Sequence, residues 1–109
     1  MPSGNVPIMQ RIAGNHPAFA YEVFTVSTTA LILTAATYAP GDRKAQTAYI
    51  TVESNGVNFT YEGTTPTSSV GHNVAAGGSV TISGYKNIQN FKMIRSGGAD
   101  ATVKVTYEG

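Results

Sequence analysis

From Phe19 to Glu108 apolar side chains fall mostly at alternate positions, and short polar clusters interrupt them every few residues. A period of two marks a half-buried β-strand, whose side chains point to opposite faces in turn. Residues 19–26 (FAYEVFTV) are aromatic and β-branched throughout, with imperfect alternation, and predict a first strand. Residues 30–38 fit a strand or a short buried helix. The Ser-Thr-Thr ahead of them lacks the following Glu or Gln of a capping box, and the strand is the favoured reading. Residues 39–44 (APGDRK) form a polar loop holding the chain's charge cluster.

Asn55-Gly56 is the sharpest local signal. A type I′ hairpin turn needs positive φ at both central residues, which Asn and Gly tolerate. A two-residue loop there pairs Ser54 with Val57, Val52 with Phe59 and Ile50 with Tyr61. Ala48, Ile50, Val52, Val57, Phe59 and Tyr61 then share one face, and Tyr49, Thr51, Glu53, Asn58, Thr60 and Glu62 the other. A bend follows at 63–69 around Pro66, then a short edge segment at 70–74 and a turn at 76–78. Residues 79–83 predict a strand with Val80 and Ile82 inward, and 84–90 a connection covered by Tyr85 and Ile88. Residues 91–96 are expected to pair, across 97–100, with 101–108. In that last strand Ala101, Val103, Val105 and Tyr107 face in, and Thr102, Lys104, Thr106 and Glu108 face out. The expectation is an all-β chain: a single β-sandwich or jelly-roll-like domain over 18–109, built of seven or eight short antiparallel strands.

Residues 1–17 follow neither period and contain Pro2, Pro7 and Pro17, which predicts an extended N-terminal arm. One reading is a frayed terminus. The other is an arm lying on a neighbouring subunit, with Val6, Ile8, Met9 and Ile12 as the contact positions, since these gain little if left in water.

Composition sharpens the β reading. Fourteen Thr, ten Val and seven Ile stand against two Leu, and β-branched residues fit pleated surfaces better than helices. Charged residues make up 12% of the chain, about half the usual share. The net charge of +1 argues against a nucleic-acid partner, whose phosphates need many Lys and Arg contacts. A hydrophobic fraction of 41% argues against disorder. Cysteine is absent, so disulfides, thiolate nucleophiles and Cys-based zinc sites are excluded. The first residues lack the basic and apolar stretches of a secretory signal, and the longest apolar-leaning run, 30–36, is too short to span a membrane.

Candidate chemistry is sparse. His16 lies in the arm, and His72 follows Gly71 in a loop with no acid near it in sequence; a triad would need Asp42 or Asp100 to approach it in space. Glu53 and Glu62 share the outward face of the expected hairpin without opposing one another, unlike the paired carboxylates of a glycosidase. No metal-binding spacing occurs, and Gly77-Gly78 and Gly97-Gly98 precede no helix that could present its N-terminus to a phosphate. The reading assigns no catalytic, cofactor or metal residues and expects no enzyme. Tyr49 and Tyr85 are the candidate exposed aromatics; most other rings fall on inward phases.

From Thr47 to Glu108 the chain resembles small structural proteins of tailed bacteriophages. The likeness rests on AYITVESNGVNFTYEGTTPTSSVGHNVAAGGSVTISG and NIQNFKMIRSGGADATVKVTYEG: a strand, the Asn-Gly turn, a Tyr-x-Gly-Thr-Thr-Pro-Thr bend, a Gly-His loop and two closing strands. The resemblance implies a head decoration (cement) protein on the virion surface, made in the host cytoplasm. It would be a homo-oligomer, with a trimer among the options, contacting the major capsid protein or other virion subunits. A tail, neck or fibre component is the nearest alternative. A similar bend also occurs in sandwich modules appended to glycoside hydrolases, where Asp stands in place of Glu62, and this keeps a carbohydrate-binding module open.

Overall fold

The computed structural model describes residues 16–109, so the expected contact positions Val6, Ile8, Met9 and Ile12 lie outside the described residues. The chain runs β1 (Ala18–Val26), β2 (Leu31–Ile32), α1 (Ala35–Tyr38), β3 (Thr47–Ser54), β4 (Val57–Thr60), β5 (His72–Val74), β6 (Ser79–Ser83), α2 (Tyr85–Gln89), β7 (Lys92–Arg95) and β8 (Ala101–Glu108). The strands form two four-stranded antiparallel sheets, ordered β1-β8-β3-β6 and β2-β7-β4-β5. Only β4 and β5 follow one another within a sheet; the other connections cross the sandwich. This is the strand order of an eight-stranded jelly roll, two Greek keys folded together.

The core lies between the sheets. Ala48, Ile50 and Val52 of β3 and Ala101, Val103, Val105 and Tyr107 of β8 point into it, on the expected phases. Each such buried Val or Ile contributes about 1.5–3 kcal/mol relative to exposure.

Three expectations are corrected. Neither Asn55-Gly56 nor 97–100 joins a hairpin; both carry the chain from one sheet to the other. A strand has two edges, and those of β3 are taken by β6 and β8, with Val52 opposite Val103 and Ile50 between Val80 and Val105. β4 pairs instead with β5 and β7. Asn55 has φ 59° but Gly56 does not share a positive φ, so the turn is not type I′. The two crossover turns lie side by side: the Asn55 amide donates to the Asp100 carbonyl at 2.8 Å, and Ser96 N–H donates to the Gly56 carbonyl at 3.0 Å. A Cβ at 56 would stand 2.7 Å from Ser96 Oγ, which can rotate away, and 3.2 Å from the Val74 carbonyl oxygen.

Second, residues 30–38 do not form one strand. Leu31 and Ile32 pair with Met93 and Lys92, and the chain then closes one helical turn, with the Thr37 and Tyr38 N–H groups donating to Thr34 O. That turn carries Tyr38 into the core, where its ring meets Tyr107 at 5.9 Å and Tyr85 at 6.0 Å. Third, four exposure assignments fail. Tyr61 lies beyond the end of β4 and is exposed, whereas Asn58 and Thr60 of β4 and Glu108 at the end of β8 are buried. The connection 84–90 contains the short helix α2, which buries Ile88 and packs Tyr85 on the core.

The imperfect alternation of β1 has a cause in the fold. Its inward phase is Ala20, Glu22, Phe24 and Val26, so a carboxylate points inward from an edge strand. The Tyr107 hydroxyl donates to Glu22 Oε2 at 2.5 Å, and Thr34 N–H donates to the same oxygen at 3.3 Å. Burial, then the bond to Glu22, push the Tyr107 hydroxyl far above the usual tyrosine range. A group held protonated in this way stabilises the fold up to its unfolded pKa near 10, and that stabilisation is lost as pH rises beyond it. Tyr107→Phe is therefore expected to cost about 2 kcal/mol at neutral pH, the worth of a hydrogen bond to a charged group. The gap between the two proteins should narrow above pH about 10. Urea denaturation from pH 7 to 11 checks this; a gap that widens with pH would contradict it.

Candidate functional site

The side of the sandwich formed by β5 and β6, the last strands of their sheets, opens into a cleft of about 560 Å³. One wall is β6, from Ser79 to Ser83, with Asn87 of α2 beside it. The other is Phe59 of β4, Tyr61 just beyond it, and His72, Asn73 and Val74 of β5. The antiparallel register sets this wall: His72, expected in a loop, begins β5 and lies opposite Phe59, so a ring from β4 backs a ring from β5.

The rings form a column from core to surface. Phe91 is buried and stacks on Phe59 at 5.4 Å and 23°. Phe59 in turn backs His72 at 5.4 Å and Tyr61 at 6.3 Å, and the two outer rings stand 6.1 Å apart at 35°. Tyr61 is 42% exposed and His72 is also exposed, so both present ring surface to the cleft.

Polar contacts hold this wall in place. Asn58, buried in β4, donates through its amide to Thr67 O at 2.9 Å and accepts from the Asn73 amide at 3.0 Å. Thr60 Oγ1 donates to Thr64 O, and Thr64 N–H donates to Glu62 Oε1 at 3.0 Å. Bonds from the Thr64 hydroxyl and then its N–H, with Lys92 nearby, hold the Glu62 carboxyl below its ordinary range. Lys92 Nζ donates to Gly63 O at 3.2 Å, and Pro66 is fully buried beneath the bend.

The other acids proposed from the sequence stand in separate settings. Asp100 pairs with Arg95 at 2.7 Å, Glu53 with Lys104 at 2.8 Å across β3 and β8, and Asp42 lies in the exposed loop after α1. Among the described residues no three His, Cys, Asp or Glu gather where they could hold a metal ion. Tyr49 and Tyr85 are half-buried, Tyr85 between Tyr38 and the Lys44 ammonium at 5.4 Å. The exposed tyrosines are Tyr21 and Tyr61. The signal for Tyr21 was present: counting back by twos from Val26 puts it on the outward phase.

A second surface lies on the opposite side, where β1 and β2 are the outer strands. Tyr21 and Val23 of β1 are 56% and 49% exposed, and Ile32 of β2 is 61% exposed. Tyr21 heads a row running Thr106, Tyr49, Thr81 across the outer face, and Val23 a row running Lys104, Thr51, Ser79. Thr106, Thr81, Thr51 and Ser79 put hydroxyls on this face, and Lys104 pairs with Glu53 across it at 2.8 Å. Among the described residues no helix is long and apolar enough to cross a membrane. No protein-family model matches the chain, and no curated protein or solved structure matches it either.

Proposed function

We propose that the chain is a structural virion protein, a bacteriophage head decoration protein that stabilises the shell through protein–protein contacts. The observation that carries this reading is the outer strand β1. It is nine residues long, one edge carries no strand partner among the described residues, and Tyr21 and Val23 stand exposed beside that edge. A long outer strand with exposed apolar side chains is normally blunted or covered, because it templates pairing with another chain. Glu22 turned inward blunts this one only in part. The jelly roll supports the reading as an architecture that capsid proteins use, and the low charge suits packing against protein. The partners are the major capsid protein and further copies of the chain.

The test is co-sedimentation of the full chain with shells assembled from the major capsid protein of the same genome, alongside analytical ultracentrifugation of the chain alone. The wild-type chain should pellet with shells. Y21S/V23S, which changes only exposed positions, should lower the bound fraction about tenfold, corresponding to the loss of two apolar contacts. Failure of the wild-type chain to pellet, or unchanged pelleting of the double variant, overturns the reading.

A further inference from the structure

We propose that the cleft between β5 and β6 is a binding site for a neutral glycan, a short chain of uncharged hexoses. The site is separate from β1, and the proposal does not depend on the virion reading. Its volume, about 560 Å³, lies within the range of small-ligand sites. Its chemistry selects among ligands. None of the residues lining it is Asp, Glu, Lys or Arg. A phosphate, sulfate or carboxylate entering would lose hydration without meeting a counter-charge, so anionic ligands and acidic sugars are disfavoured. A wholly apolar ligand is disfavoured for the converse reason: it would cover the open backbone edge of β6 and the Asn87 amide and return no hydrogen bonds.

A hexose meets both demands. One face of its ring exposes C–H groups that pack on an aromatic face, while its rim carries hydroxyls that donate and accept. Tyr61 and His72 supply the aromatic faces on one wall, and the open backbone edge of β6, whose one strand neighbour is β3, supplies polar partners with the Asn87 amide on the other. The aromatic wall is preformed. Phe59 and Phe91 back the two outer rings, and the Asn58–Asn73 and Glu62–Thr64 contacts fix the bend that carries Tyr61. Little ordering entropy then remains to oppose binding. An extended peptide adding to the outer edge of β6 is the competing occupant. It fits less well, because β5 opposite is only three residues long and this wall offers ring faces rather than alternating side-chain pockets.

The test is NMR titration of the ¹⁵N-labelled full chain with neutral gluco-, galacto- and manno-oligosaccharides, a sialylated oligosaccharide, and an extended apolar peptide. Saturable shifts at Tyr61, His72 and residues 79–83 are expected with at least one neutral sugar, with the sialylated one weaker. Tyr61→Ala should weaken that binding about tenfold, the loss of one ring face, and Tyr61→Phe should change it less than about twofold. Y21S/V23S should leave it unchanged, which separates this proposal from the shell-binding one. Absence of saturable shifts with every neutral sugar, shifts mapping elsewhere, stronger binding of the sialylated sugar, or binding of the peptide alone overturns it.

Discussion

Phe91→Ala is expected to lower the unfolding free energy by about 4 kcal/mol, the usual cost of emptying a buried phenylalanine site. Small domains have about 5–15 kcal/mol in total, so a large share of the stability would go with one side chain. Phe91 is 1% exposed and sits just before β7, where the chain returns from α2 into the second sheet. Two effects add. The ring fills space between the sheets that neighbouring strands, fixed by their ladders, cannot collapse to close. It also stacks on Phe59 at 5.4 Å, a pairing worth about 1 kcal/mol beyond its buried area. Phe91→Leu keeps most of the volume and loses the stack, so about half the cost is expected. Urea denaturation at constant m checks both. A loss below about 1.5 kcal/mol for the alanine variant would mean that the column from Phe91 to Tyr61 is loosely packed.

The strands and their inward phases were legible because burial imposes a period of two that survives any choice of partner. Ala48, Ile50 and Val52 face in whether β3 pairs with β4 or with β6 and β8. Pairing was not legible, because turn chemistry is local and the competition for strand edges is not. Asn55-Gly56 has the composition of a hairpin turn, yet Asn55 takes a positive φ alone and Gly56 accepts from Ser96 N–H of the neighbouring crossover turn. The candidate cleft was hidden for the same reason. His72 has no chemical neighbour along the chain; its aromatic neighbours arrive only when β4 and β5 pair Phe59 with His72. The alternation that would turn Tyr61 inward stops at Thr60, where the strand ends. At Glu22 the sequence did carry a signal, a charge on an otherwise apolar phase, which a partner such as Tyr107 explains.

Gly71→Ala should cost about 3 kcal/mol and disturb the cleft wall, because two independent penalties meet at that residue. The first is backbone strain. Gly71 has φ +124°, a region that side-chain-bearing residues rarely adopt. The second is a close approach. A Cβ at 71 would stand 2.9 Å from the Phe59 carbonyl oxygen and 3.3 Å from its nitrogen, and both are backbone atoms that β7 holds on the far side of β4. Gly63 separates the two terms within the same bend: its φ is +105°, but nothing lies within 4 Å of an added Cβ. Gly63→Ala should therefore cost only the strain, about 1–2 kcal/mol. Thermal or urea denaturation of the pair measures the difference, and NMR shifts of His72 and Asn73 report whether β5 has moved. If the two variants lose equal stability, the approach to Phe59 contributes nothing and strain alone requires glycine at 71. If Gly71→Ala loses more and shifts His72, the glycine is what lets β5 lie close enough to β4 to put the His72 ring beside Phe59.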